Sequence, residues 1–209
     1  MTEPREITPL VLAAGASTRM GRTKALLDFD GKTCLELALE AVRGLGTPVV
    51  VLGPTREEIQ ERVKLGSVQI AINEDVDRGQ TASLKAGLEC LSPSAAAFLF
   101  YPVDFPLVSP VEVAAIVDVF LNHKDPNKAI FIPSYNMQRG HPVLCRRPLA
   151  DEFLALPDGA PARTVINQRP TRIAYVNFEQ AYILMDMDTP EDYAKCLDAY
   201  RARERQNHR

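Results

Sequence analysis

The stretch Leu10–Lys24, LVLAAGASTRMGRTK, gathers residue types suited to phosphate chemistry. Ala13, Ala14, Gly15 and Ala16 carry little or no side chain, so their backbone N–H groups can approach a ligand closely. Arg19 and Lys24 add two permanent cations to the same loop. Backbone donors combined with cations are what binds phosphate groups. The spacing matches neither familiar glycine loop. Five residues separate Gly15 from Gly21 and the lysine waits until 24, whereas a P-loop has four residues between its glycines and then Lys and Ser or Thr directly. The dinucleotide pattern GxGxxG is absent as well. On these residues alone, a flexible strand-to-helix loop with incidental cations is the alternative.

A loop of this kind needs a strand before it and a scaffold to hold it. Short apolar runs at 7–12, 48–52, 68–72, 96–101, 129–133, 141–145, 172–177 and 181–185 read as strands. Continuous apolar runs of this length fit strands covered on both faces. Helical patterns alternate with them. In TCLELALEAVRGLG, Leu35, Leu39 and Val42 fall at i, i+4 and i+7, with a stop at Gly44 or Gly46. TREEIQERV places Thr55 at a cap with acids in the first turn, and GQTASLKAGLECL continues the alternation. Ser109 before Pro110 opens another helix, and Thr189, Pro190, Glu191 and Asp192 open the last. Alternating strands and helices predict a three-layer α/β/α, Rossmann-like fold with a mixed, mostly parallel sheet. The closely spaced strands near 129–145 and 172–185 predict added or antiparallel strands. Ligands of such sheets collect at the carboxyl ends of the strands, where the loop after 7–12 lies.

The bulk properties set limits. The chain has 209 residues, 46% of them hydrophobic, which predicts one core and a single domain over 1–209. A net charge of -3 gives no global basic field for nucleic acid. No apolar run of membrane-spanning length exists, so no membrane association is expected. Cys34, Cys90, Cys145 and Cys196 are far apart, lack a CxxC pair and sit beside apolar residues. Together with a start that lacks a signal-peptide apolar region, they predict reduced, mostly buried thiols in a cytoplasmic protein. His123, His141 and His208 show no metal-ligand spacing. The basic tail RARERQNHR reads as a solvated helix end.

Five segments in order carry a resemblance. LAAGASTRMGRTK is similar to the signature of the MobA-like nucleotidyltransferases of molybdenum-cofactor biosynthesis: LAAG or LAGG, RMG, two residues, then Lys. NEDVDRGQTASLKAGL, PVDFPLV, RGHPVLC and DMDTPEDY resemble further family segments, and the match extends from about residue 7 to 198. The family implies the nucleotide-diphospho-sugar transferase type of the predicted fold. The LAAG form, with no Asp before Lys24, looks more like the cytidylyl branch, which joins CTP to molybdopterin-type cofactors, than the guanylyl branch, which uses GTP. One departure stands out: Val103 replaces the glycine usual before the metal-binding aspartate. A β-branched residue disfavours positive φ, so either that position has ordinary φ or the loop takes another path.

The resemblance implies a phosphate oxygen attacking the α-phosphorus of a nucleoside triphosphate, with pyrophosphate leaving. A phosphomonoester is already ionised at neutral pH, so catalysis rests on positioning and charge neutralisation. Mg2+ is the expected cofactor, held by Asp104 at a strand's carboxyl end and by Asp188 or Asp186 before the last helix. The bland reading is a turn aspartate at 104 and N-terminal helix charges at 186 and 188. Leu12, Ala13, Ala14 and Gly15 are expected along base and sugar, Arg19 at the β- and γ-phosphates and Lys24 at the α-phosphate. Asn73, Gly79, Gln80 and Ser83 are expected to add nucleotide contacts, with helix capping as the alternative. Arg139, His141 and Arg163 are candidates for an anionic acceptor. A Gly140–His141–Pro142 turn into a strand and an ion pair at a helix start are the structural alternatives.

The leading expectation is therefore a Mg2+-dependent nucleotidyltransferase that uses CTP, or else GTP, with a molybdopterin-type acceptor. A molybdoenzyme or its chaperone would be a further partner. Two alternatives remain: a sugar- or polyol-phosphate acceptor on the same fold, and a non-catalytic module that delivers cofactor. Lys24 with Asp104 argues against the last, because a pure binder needs no such pair.

Overall fold

The computed structural model describes residues 6–15 and 20–207. Its strands are β1 (Ile7–Leu12), β2 (Asp28–Phe29), β3 (Lys32–Thr33), β4 (Val49–Leu52), β5 (Gln69–Ile72) and β6 (Ala97–Pro102). They continue with β7 (Ile130–Tyr135), β8 (Gln138–Arg139), β9 (Val143–Arg146) and β10 (Ile173–Asn177). The helices are α1 (Cys34–Ala41), α2 (Arg56–Arg62), α3 (Gln80–Leu88), α4 (Pro110–Asn122), α5 (Leu149–Leu154), α6 (Arg163–Gln168) and α7 (Pro190–Asn207). The central sheet runs β10-β7-β9-β6-β1-β4-β5, with β8 folded back on β7; β2 and β3 form a separate hairpin.

The pairs β1–β4, β1–β6, β4–β5 and β7–β10 are parallel. Strand β9 is antiparallel to β6 and β7, and β8 is antiparallel to β7. The mostly parallel sheet with its antiparallel insertion in the second half follows the sequence pattern. The apolar strands are covered on both faces, which is why they read as continuous runs. On one face Val11, Leu99 and Phe131 pack with Leu35 of α1, Ile116 of α4 and Cys196 of α7. On the other, Leu10, Leu12 and Phe98 pack with Leu84 of α3 and Phe153 of α5.

The helix starts are fixed by side chains. Thr33 and Glu36 form a reciprocal capping box at α1, and Ser109 and Glu112 form another at α4, followed by Pro110. Thr189 Oγ1 and N both donate to Asp192, while Asp192 N donates back to Thr189 Oγ1, so α7 starts in the same way.

Three expectations need correction. Segment 181–185 is not a strand; Ala181–Leu184 forms a 3-10 turn. Its apolar character serves core burial at Ile183, whose carbonyl accepts from His141 N and not from a sheet partner. Thr55 precedes α2, but its hydroxyl makes no cap bond and has no hydrogen-bond partner among the described residues. Helix α1 ends at Ala41, before the glycines expected to stop it. Cys34, Cys90, Cys145 and Cys196 are free thiols; all are buried except the half-buried Cys90. No described helix is long and apolar enough to cross a membrane.

Candidate active site

Strand order places the site. The chain crosses from β1 to β4 on one side and returns to β6 on the other, so the carboxyl ends of β1 and β6 flank a topological switch point. The register pairs Leu12 with Pro102, which sets the loops after both strands level. Val103 N donates to Leu12 O at 3.0 Å, which secures this, and Ala13 N donates to Val51 O at 2.9 Å, which ties the loop after β1 to β4. A cleft opens between the loops. Leu12, Ala13, Ala14 and Gly15 form one wall, with Val76, Gly79, Gln80 and Ser83 around the start of α3. Lys24, Ala25, Pro102, Val103, Asp104 and Asp188 form the other.

Small residues let the first wall approach closely. A Cβ on Gly53, just after β4, would meet Ala14 O at 2.5 Å and Ala14 Cα at 3.1 Å, so only glycine lets the loop after β1 settle there.

The charged wall is held by several elements. Lys24 starts a 3-10 turn, Lys24–Leu26, whose Ala25 and Leu26 are buried. Its Nζ donates to Asp188 Oδ1 at 2.7 Å and to Asp104 Oδ2 at 3.1 Å. Burial alone would lower the Lys24 pKa; the Asp104 charge and the hydrogen bonds to Asp188 and Asp104 outweigh it and hold the ammonium above its ordinary value. Met187 N donates to Asp104 O at 3.0 Å, which joins the segment carrying Asp188 to the loop carrying Asp104. Beneath that loop, the Cys34 thiol donates to Val103 O at 2.8 Å; burial pushes this thiol's pKa well up, so it stays protonated. Tyr101 OH donates to Phe105 O at 3.0 Å. Val103 is not among the residues with positive φ. The exchange of glycine for valine therefore leaves an ordinary backbone, and the side chain is buried.

Asp104 Oδ1 is buried and has no hydrogen-bond partner among the described residues. This carboxylate lone pair, beside a second carboxylate at Asp188, is a donor set suited to a hard divalent cation. Among the described residues no group of three or more His, Cys, Asp or Glu is placed to hold a metal ion, so the remaining positions would belong to water or substrate oxygens. Asp186 does not line the cleft. Burial, then the charges of Asp104 and Asp188, push its pKa up.

Of the other candidates, Arg19 lies outside the described residues. Asn73 stands behind the cleft wall: its Nδ2 donates to Ser83 Oγ at 2.9 Å, and its Oδ1 accepts from Asp75 N at 3.0 Å. The three acceptor candidates are scattered. Arg139 is exposed on β8 and binds the Tyr175 hydroxyl and Asn167 Oδ1. Arg163 is exposed at the first position of α6. His141 packs its ring against Phe100 and Phe105, and burial pushes its pKa down to about 4. A ring neutral at pH 7 offers no charge to an anion. Gly140 has a packing reason, because a Cβ there would collide with the Ile183 carbonyl. Val76 and Ala25 line the cleft without having been singled out. Val76 had a signal: it is the one apolar residue in the polar run NEDVDRGQ.

The comparisons agree with this geometry. The family model for the MobA-like NTP transferase domain matches residues 9–173. The molybdenum cofactor cytidylyltransferase of Escherichia coli (strain K12) is 26% identical over 198 residues, covering 91% of this chain and 95% of the relative. The nicotine blue oxidoreductase of Paenarthrobacter nicotinovorans is 29% identical over 202 residues, covering 91% of this chain and 96% of the relative. The crystal structure of Rv0371c from Mycobacterium tuberculosis H37Rv superposes with a TM-score of 0.82 at 27% identity, covering 92% of this chain and 98% of that one. The same protein in complex with manganese superposes at 0.75. With a family model matching most of its length, this chain belongs to the MobA-like NTP transferase domain family.

Proposed function

We propose that the chain transfers a nucleoside monophosphate, from CTP, to the phosphate of a molybdopterin-type acceptor. An ionised acceptor oxygen attacks the α-phosphorus. The new O–P bond forms as the bond to the β-phosphate oxygen breaks, and the electron pair leaves with pyrophosphate. The carrying observation is the Lys24 ammonium bridging Asp104 and Asp188 in a cleft whose facing wall is the small-residue segment Leu12–Gly15.

Each wall has a task. The loop backbone beyond Ala13 and the start of α3 orient base, sugar and phosphates without bulky side chains. Lys24 offers a fixed cation to the charge that develops at the α-phosphate, in a partly buried site where such charge counts for more than in water. The acceptor phosphate needs no general base, because a phosphomonoester is already ionised at neutral pH. Asp104 and Asp188 would hold Mg2+, and the named manganese complex of Rv0371c supports a divalent cation in a protein of this fold. When bound, the ion neutralises triphosphate charge and stabilises the leaving pyrophosphate. CTP is favoured by the LAAG form of the first loop and by the name of the E. coli relative.

Thermal shifts with CTP, GTP, ATP and UTP, each with Mg2+, test this. A native-state ligand at a hundred times its Kd stabilises by about 2.7 kcal/mol. CTP is expected to give the largest shift. A larger shift with GTP would move the assignment to guanylyl transfer, and no shift with any triphosphate would overturn the reading.

A further inference from the structure

We infer that Asn73 is a positioning residue that keeps the Ser83 hydroxyl proton available for donation to the nucleoside. The inference deepens the proposed function and rests on it. Asn73 follows β5, and its backbone N–H donates to Leu52 O at 2.8 Å, which anchors it to the sheet. Asn73 and Ser83 are both buried. Asp75 N–H can only donate, so the side of the Asn73 amide that faces it must be Oδ1. The amide nitrogen is thereby turned to Ser83 and donates to its Oγ at 2.9 Å.

A serine hydroxyl has one proton to give. With Asn73 Nδ2 occupying a lone pair, that proton points away from Asn73, and no hydrogen bond from it to a described residue is formed. Ser83 lines the cleft beside Gly79 and Gln80. The hydroxyl therefore presents a donor there. It reads an acceptor atom of the nucleoside, either a carbonyl oxygen or unprotonated ring nitrogen of the base, or a ribose oxygen.

Replacing Asn73 by Asp reverses the relay. The carboxylate still accepts from Asp75 N–H but now also draws the Ser83 proton, so Ser83 turns lone pairs toward the nucleoside. Steady-state kinetics on wild type, Asn73→Asp, Ser83→Ala and the double variant form a cycle. The expected result is a KM for the triphosphate raised about tenfold or more in each single variant, with a smaller change in kcat, and a double variant no worse than Ser83→Ala. Unequal KM ratios across the four triphosphates in Ser83→Ala would place the acceptor atom on the base, and equal ratios would place it on the ribose; either supports the relay. Additive effects, as simple charge repulsion from the introduced carboxylate would give, overturn it, and so does an unchanged KM in Asn73→Asp. Should Asn73→Asp not fold by thermal melting, Asn73→Ala closes the same cycle, raising KM only while Ser83 is present. Equilibrium titration of the wild type separates the two claims. If no triphosphate binds, the functional reading fails with the relay; if one binds while the variant effects add, the relay alone fails.

Discussion

The two walls of the cleft are built on opposite principles. The wall proposed above to take the nucleotide is mostly backbone: Leu12–Gly15 at the end of β1 and the start of α3, brought close by Gly53. The charged wall is mostly side chains: Lys24, Asp104 and Asp188 come from three distant parts of the chain. Backbone recognition depends on what is absent, namely Cβ atoms that would block approach. Charge recognition depends on what is present. Substitutions should therefore divide by wall, into binding effects on one side and rate effects on the other.

The largest expected effect lies on the charged wall. Lys24→Ala should raise the barrier by about 2.7–4 kcal/mol, a loss of roughly a hundredfold or more in kcat, with a smaller change in triphosphate binding. Single-turnover kinetics would check it, and a near-normal rate with a raised KM would erase the division between the walls.

The second effect concerns the support of that wall, through pH. The His141 pKa is about 4 in the folded chain, below the ordinary value near 6.5. The unfolded chain thus binds a proton first as pH falls. The stability contributed by the neutral ring is fully present above about 6.5 and is lost by about 4, amounting to about 3 kcal/mol at one pKa unit per 1.36 kcal/mol. Denaturant melts at pH 7.5 and 4.5 should show this loss in the wild type and a smaller one in His141→Phe.

The third belongs to the nucleotide wall. Gly53→Ala pushes a methyl against Ala14 O and should destabilise the fold by about 1–3 kcal/mol while raising triphosphate KM more than it lowers kcat. The smallest is Thr189→Ala, which removes the cap behind Asp188 and should lower stability by about 1 kcal/mol in thermal melts.

The same division explains what was legible in the sequence. Strands β1, β4 and β6 were readable because burial on both faces leaves continuous apolar runs. Ser109–Pro110 and Thr189–Pro190 were readable because capping is local chemistry. Lys24 and Asp104 were singled out from spacing and resemblance, and the fold brings them within hydrogen-bonding distance of one another. Segment 181–185 was misread because an apolar pentapeptide shows its burial but not its hydrogen-bond partner, which is His141 in place of a strand. Asn73 shows the same limit: residue type predicted a polar contact, and only the fold reveals that both ends of its amide are taken by Ser83 and Asp75. The short helices α5 and α6, six residues each, lack the length over which periodicity can be read.

The most direct test of the central claim is pyrophosphate release by the purified protein with Mg2+, CTP and a molybdopterin-type acceptor, run beside Asp104→Ala. The account predicts acceptor-dependent release by the wild type and its loss in the variant. Release undiminished in Asp104→Ala, or no release with CTP, GTP, ATP or UTP, would contradict it.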